Sequence, residues 1–386
     1  MRISLIEIAG PPRERGRQYG EQAREHIARS IAWYSEQFTA TASLQWDVVL
    51  ENARRWEPLV EAYLPDALEE MQGIAEGAGV TYEEILALNG RGELSSGNPF
   101  LDETNDECSS YSILPEAAGD AHAYCGQNWD WRSAILDTVV MLRIEQPELP
   151  TIVMQVEAGQ VGRQGANSAG LGLNANGLSA RFGARLGMPQ PYIRRKILNS
   201  WDMNEALEAV FKSKQSLCTN LLLSHRDGFI IDLETTPGRH GWGYPKDGVL
   251  VHTNHFRYFV PKQIEETYRV TSPDSLYRAE RIERVLARVG ETTTSEQMHA
   301  LIGEALSDHF GYPNSVCNHP DPNHPWFDQN ETVASSIVDL TTGEYWIAHG
   351  NPCENEYELL PWNLYDSSST SPAARIPLRS APSIRA

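Results

Sequence analysis

The chain has no run of about 18 apolar residues, the length a helix needs to cross a bilayer, which excludes a membrane-spanning helix. Basic residues are scarce: 32 Lys and Arg stand against 52 Asp and Glu, a formal charge of −20 at pH 7. Binding to a phosphate backbone depends on clustered Lys and Arg that displace counterions, so nucleic acid is excluded as a partner. The densest basic cluster, Arg194, Arg195 and Lys196, falls on an expected helix and reads as a solvated face, with an acidic substrate group as the lesser alternative. Cysteines number five among 386 residues, at 108, 125, 218, 317 and 353. An odd count at wide spacing makes no disulfide framework and leaves reduced thiols, one of them a candidate for reactivity. The N-terminus "MRISLIEIAGPPRERGRQYG" has too short an apolar run for a secretory signal, and a cytoplasmic location is expected. Nucleotide-phosphate loops, dinucleotide fingerprints and the His-Glu-x-x-His string are all missing. No cofactor or metal is therefore expected. "CNHPDPNH" does hold Cys317, His319, Asp321 and His324, but with two prolines and no second cysteine pair it reads as a structural loop.

What is present is an ordinary globular composition, 41% hydrophobic and 22% charged. The N-terminal part reads as helical. Tyr19, Ala23, Ile27, Ile31, Tyr34 and Phe38 recur at helical spacing on one face. A second helix is expected from Trp46 towards Leu64, ended by Pro65; Asp66 caps a third; Thr81 with Glu84 forms a capping box for a fourth. A polar loop, "SSGNPFLDETNDE", follows, and then Cys108.

Beyond Cys108 the pattern changes to strands. "CSSYSILP" and "HAYCGQNWDW" read as a hairpin, which brings Asp130 to the strand beside Cys108, with Asn128 on the same face as Asp130. A turn is expected at Asn174–Gly177, a helical segment over 192–212, strands through "NLLLSHRDGFIIDLETT" and "GVLVHTNHF", two more helices, and a late hairpin in "TVASSIVDLTTGEYWIAHG". Strands in bulk with helices before, between and after them point to an α+β fold, helices outside a two-sheet core. The Ser, Pro and Ala-rich stretch from 366 to 386 reads as a loose tail.

Several strings in order, "RGRQYGEQAREHIARSI", "EEMQGIAEGAGVTYEEILALN", "ECSSYSI", "GQNWDW", "EAGQVGRQGANSAGLGLNANGL", "VHTNHF" and "TVASSIVDL", resemble the isopenicillin N acyltransferase (acyl-CoA:6-aminopenicillanic acid acyltransferase) family of N-terminal nucleophile hydrolases. The resemblance implies a four-layer αββα sandwich of two antiparallel sheets between helical layers. It implies a precursor cleaved at Glu107–Cys108, with 1–107 as a leader subunit, 108–365 as the catalytic part, and the two fragments remaining associated. Cys108 would be the nucleophile, Asp130 the carboxylate near it, and Asn254 the oxyanion-hole amide. Asn128, Asn174, His252 and Arg278 are possible supporting residues. The implied partners are a small-molecule amide or acyl donor, acyl-CoA among the candidates, and an amine or water as acceptor. Chemically the assignment is coherent, because a free α-amine with a pKa of about 7.7 to 8.0 can take the thiol proton without a histidine.

The chain departs from the pattern twice. The penicillin-processing member has Gly before the nucleophile, where Glu107 stands here, and an arginine before the late strand, where "DQNETVASS" has none. Arg278 is a candidate replacement, although "SPDSLYRAERI" reads more simply as carrying an exposed helix ion pair. Two alternatives stay open: an unprocessed cysteine protease using Cys108 with His252 or His255, and a non-catalytic binding protein of the same fold. Strand alternation places His252 and Asn254 on one face and His255 on the other.

Overall fold

The computed structural model describes residues 3–96, 108–178, 180, 182 and 186–366. It opens on a short strand, β1 (Ser4–Ala9), and continues through α1 (Pro12–Gln22), α2 (Arg24–Ala42), α3 (Trp46–Ala53), α4 (Glu57–Tyr63), α5 (Asp66–Ala78) and α6 (Tyr82–Ser96). The expected first hairpin is β2 (Ser109–Ile113) and β3 (Tyr124–Arg132). Then come β4 (Val139–Glu145), β5 (Ile152–Glu157), β6 (Gly165–Asn167), β7 (Leu171–Gly177), α7 (Gln190–Leu198) and α8 (Met203–Lys212). The chain goes on through β8 (Thr219–His225), β9 (Phe229–Thr235), β10 (Gly241–Gly243), β11 (Val249–His252), α9 (Asp274–Leu286) and α10 (Ser295–Leu306). It closes with β12 (Asn330–Asp339), β13 (Glu344–His349) and β14 (Glu358–Leu359).

Two sheets pack face to face. One has the order β1-β4-β5-β6-β7-β8-β9-β10, the other β11-β2-β3-β12-β13-β14. Polar contacts join them across the interface: Asn176 Nδ2 donates to Ser110 Oγ at 2.7 Å, Ser112 meets Ser224 at 2.5 Å, and Gln127 accepts the Ala175 N–H at 2.8 Å. The N-terminal helices and α7 pack on the first sheet in a core that includes Ile27, Met71, Val140, Met154 and Ile193. On the outer face of the second sheet, Tyr111, Ile113 and Ile337 pack against Ile282, Leu286 and Ile302 of α9 and α10. The expected αββα sandwich is what forms. It differs in one detail, because β1 pairs with β4 in parallel and makes the first sheet mixed. Six residues of alternating pattern within an otherwise helical leader gave a weak strand signal.

Local chemistry explains the other departures. The periodic stripe from Tyr19 to Phe38 is buried as expected, but the helix divides at Ala23. The helix expected from Trp46 breaks into α3, a 3₁₀ turn and α4, because Pro58 has no N–H to continue the ladder. Pro65, not Asp66, occupies the cap position of α5. The box at Thr81 and Glu84 forms reciprocally, with Thr81 N–H on Glu84 at 2.8 Å and Glu84 N–H on Thr81 Oγ1 at 3.3 Å. The helical segment over 192–212 is α7 and α8, the latter capped by Asp202 accepting the Glu205 N–H at 2.9 Å. The turn expected at Asn174–Gly177 is absent; those residues are strand, fully paired with β8. Seven paired residues outweigh a local Asn-x-Asn-Gly turn preference.

The basic cluster is not a solvated face. Arg194 and Arg195 are buried, and Arg195 donates to Glu70 at 2.8 Å while Arg15 meets the same carboxylate at 2.5 Å. Burial alone would raise the Glu70 pKa, but the two guanidiniums hold it below the ordinary carboxylate value. This triad ties α1, α5 and α7 together.

Helices α1 and α5 touch backbone to backbone. A Cβ on Gly16 would stand 2.0 Å from the Glu70 carbonyl oxygen, and one on Gly77 would stand 2.1 Å from that of Arg17. Gly16 and Gly20 of "RGRQYG" and Gly77 of "EGAG" are thus what that approach requires. Gly77→Ala gains about 1 kcal/mol of helix propensity, but a clash with rigid backbone costs about 1–3 kcal/mol. We expect a net loss of stability, read as a lowered urea midpoint with an unchanged slope.

Candidate active site

Cys108 stands immediately before β2, buried where the hairpin, β11 and α9 meet. Its thiol points to the backbone carbonyl of Asp130 at 3.8 Å, and its own carbonyl accepts from Arg278 Nη1 at 2.9 Å. The register Ser109↔Asn128, continued one step, puts Trp129 opposite Cys108, so Asp130, one residue further along β3, lies toward the N-terminal side of Cys108. The Asp130 carboxylate accepts from Thr332 Oγ1 at 2.6 Å, its neighbour on β12. Asn128 buttresses this strand: its Nδ2 donates to the carbonyls of Leu306 at 2.8 Å and Val316 at 2.7 Å, and its Oδ1 accepts from Ser335 at 2.5 Å.

Arg278 is the centre of the arrangement. It is fully buried on α9, which overturns the exposed ion pair expected from sequence. Nε donates to Asp274 at 2.7 Å, Nη1 to Ser109 Oγ at 2.8 Å as well as to the Cys108 carbonyl, and Nη2 to Asn254 Oδ1 at 2.8 Å. That last bond fixes which way the Asn254 amide faces, since only its oxygen can accept from a guanidinium. Asn254 Nδ2 then donates to the Gly177 carbonyl at 3.1 Å, and the Asn254 backbone N–H to Ser275 Oγ at 2.8 Å.

The histidines have other partners. His252 Nε2 contacts Glu234 at 3.0 Å and Nδ1 contacts the Thr253 carbonyl at 2.8 Å, so both ring nitrogens face acceptors. Burial would lower its pKa, but Asp232 and Glu234 raise it above the ordinary histidine value. A ring with both nitrogens engaged, one by Glu234 and one by the Thr253 carbonyl, is poorly suited to be a base. His255 shares Ser275 Oγ at 2.8 Å, and burial with His252 and two arginines nearby pushes it down to about 4. Asn174 lies beside the buried Cys125 thiol, so its structural neighbour is Cys125 and not Cys108. Asn176, which sequence reasoning passed over, is the asparagine of that strand that reaches the hairpin, through Ser110 Oγ and the His252 carbonyl at 3.2 Å. Alternation along β7 could have found it only if the false turn had not been assumed. Glu107 lies outside the described residues.

The architecture defines an αββα protein with a cysteine, an asparagine, a carboxylate and a buried arginine grouped at one end of a central sheet. A family model described as acyl-coenzyme A:6-aminopenicillanic acid acyl-transferase matches residues 117–354, and the chain belongs to that family. It is 30% identical over 314 residues to the acyl-coenzyme A:6-aminopenicillanic-acid-acyltransferase 40 kDa form of Emericella nidulans, covering 81% of this chain and 84% of that relative. Among solved structures, penicillin V acylase from Agrobacterium tumefaciens is 14% identical over 63% of this chain and 83% of its own, with a TM-score of 0.41. A variant of conjugated bile acid hydrolase from Clostridium perfringens is 13% identical over 68% of this chain and 99% of its own, with a TM-score of 0.43. Family membership supports an enzyme of acyl transfer or amide hydrolysis acting on small molecules. Among the described residues, no helix is long and apolar enough to cross a membrane.

The His252 environment gives a pH signature. A folded-state pKa raised above the ordinary value contributes stability that is full below about pH 6.5 and is lost as pH rises through the raised value. The stability advantage of the native protein over His252→Gln should therefore be largest in mild acid and shrink on going alkaline, measured as the difference in Tm across a pH series.

Proposed function

We propose that the chain is a precursor that cleaves its own Glu107–Cys108 bond and then works as an N-terminal-cysteine acyltransferase or amidohydrolase. The observation that carries the reading is the convergence of Arg278 on the Cys108 carbonyl, Ser109 and Asn254. One buried cation holds the first residue of β2 and the amide opposite it in a single frame.

In processing, Cys108 Sγ attacks the Glu107 carbonyl carbon. The peptide C–N bond breaks as the C–S bond forms, the former amide nitrogen takes up a proton as the Cys108 α-amine, and water hydrolyses the thioester to release the Glu107 carboxylate. In turnover the α-amine accepts the thiol proton. The thiolate attacks the substrate carbonyl, Asn254 donates to the developing oxyanion, and the tetrahedral intermediate collapses to a Cys108 acyl-thioester. The departing amine, or thiol when the donor is a thioester such as acyl-CoA, leaves with that proton. Water or a second amine then attacks the acyl-enzyme and regenerates the free cysteine. Asp130, beside the N-terminal side of Cys108, suits the ammonium that forms there. Residues 1–107 would be the leader fragment and 108–365 the catalytic one. Their common core, from Ile27 and Met71 on one side to Val140 and Ile193 on the other, favours fragments that stay together after cleavage.

Intact mass spectrometry of purified protein tests this reading: the wild type should resolve under denaturing conditions into fragments starting at Met1 and Cys108, and Cys108→Ala should stay whole and inactive. An active preparation consisting only of the uncut chain would end the processing claim, and amide turnover by Cys108→Ala would end the mechanism.

Asn254→Ala, assayed in protein already shown to be cleaved, should lose roughly 100-fold to 1,000-fold in kcat, the range for removal of one oxyanion donor. Unchanged kcat in cleaved Asn254→Ala would remove that residue from the role.

A further inference from the structure

Four clustered side chains take no part in the acyl transfer proposed above. His309, Cys317 and His319 lie on the segment after α10, and Cys353 follows β13. One ligand atom from each lies within 4.8 Å of all the others. The two sulfurs are 3.4 Å apart, His319 Nε2 is 3.6 Å from Cys317 Sγ and 3.4 Å from Cys353 Sγ, and the two histidine Nε2 atoms are 3.1 Å apart.

Bond lengths decide what this cluster fits. Tetrahedral zinc, with Zn–S of about 2.3 Å and Zn–N of about 2.0–2.1 Å, requires edges of about 3.8 Å between sulfurs, about 3.5 Å from sulfur to nitrogen and about 3.3 Å between nitrogens. The two sulfur–nitrogen edges from His319 agree closely, the sulfur–sulfur and nitrogen–nitrogen edges agree to within about 0.4 Å, and the two edges from His309 to the sulfurs lie within 4.8 Å. A disulfide would need the sulfurs at about 2.05 Å, and both are free thiols. Nor does hydrogen bonding account for the set. His319 Nε2 is within reach of three partners, while a ring nitrogen has one lone pair or one proton to offer. As one vertex of a tetrahedron it must be near the other three.

The surroundings are built for a fixed site. Asn351 Nδ2 donates to Cys317 Sγ at 3.5 Å and to the Asn318 carbonyl at 2.6 Å, the kind of outer contact that orients a thiolate ligand. The Asn318 N–H donates to Thr332 Oγ1 at 3.0 Å, and Thr332 in turn donates to Asp130. Asp321 and His324, metal candidates by sequence, instead line an adjoining cavity of about 140 Å³ with Ser272, Asp274 and Asn330, which His319 borders from the cluster side.

We propose that His309, Cys317, His319 and Cys353 form a closed Cys₂His₂ zinc site that pins the segment after α10 to the end of β13 and, through Asn318 and Thr332, steadies the strand carrying Asp130. With four protein ligands it has no open position, so its role is structural. Binding expels one proton from each thiol to solvent.

The test uses full-length protein grown with zinc and purified under reducing conditions. Elemental analysis should find about one zinc per chain, falling to background in Cys353→Ser, whose exposed position lets the fold persist, and in His309→Ala. Zinc-free wild type titrated with Co²⁺ should develop the strong visible absorption of tetrahedral thiolate-bound cobalt, and chelation should lower the Tm of wild type but not of a variant carrying both substitutions. Wild type that binds neither ion, variants that retain a full complement of zinc, or a Cys317–Cys353 disulfide in the zinc-grown protein would each overturn the site.

Discussion

A guanidinium fully removed from water must satisfy its donors or destabilise the fold by several kcal/mol, and that constraint at Arg278 organises this molecule's site. Asp274 compensates the charge one helical turn away. Nη1 and Nη2 donate to the start of β2 and to Asn254, so the helix can settle on the sheet in one register only. Everything placed by β2, including Cys108 and its hairpin partner β3, inherits its position relative to Asn254 from that register. The bond also orients an amide that could otherwise flip.

The parts of the site that were legible in the sequence are those fixed by neighbours along the chain. Cys108 at a loop-to-strand seam and Asp130 across a hairpin follow from period-two alternation and one turn. Asn254 enters as a candidate through the resemblance alone. Arg278 was not legible, because Asp274 and Arg278 at i and i+4 look the same on a solvated helix as on a buried one, and only tertiary packing shows what the other donors reach. Arg195 was misread for the same reason: its partner Glu70 is 125 residues away. Asn174 and Asn176 differ by a single strand period, and assuming a turn between them hid which one reaches Ser110.

The fold was legible at the level of layers and less so at its edges. Strand-rich sequence bracketed by helices was enough for an αββα sandwich, and the capping box at Thr81 and Glu84 marked one helix start correctly. The metal-capable side chains show the limit from the other direction. Two of the four in "CNHPDPNH" belong to the cluster, but His309 precedes that string and Cys353 follows it by a hairpin. Spacing rules recognise metal sites whose ligands lie close in sequence, and here β12 and β13 come between.

The parallel pairing of β1 with β4 also bears on how the chain acquires its structure. Ser4 is registered against Val140, a separation of 136 residues, 140 minus 4. During synthesis the first strand emerges long before its template exists, and the helices that follow have only a partial surface to cover. Non-local closure of this kind is slow, and the partner strand, if translated without its neighbour, presents an unpaired apolar edge open to association with other chains. The N-terminal segment therefore acts in cis as a guard for that edge, and production of the C-terminal part alone would yield insoluble material.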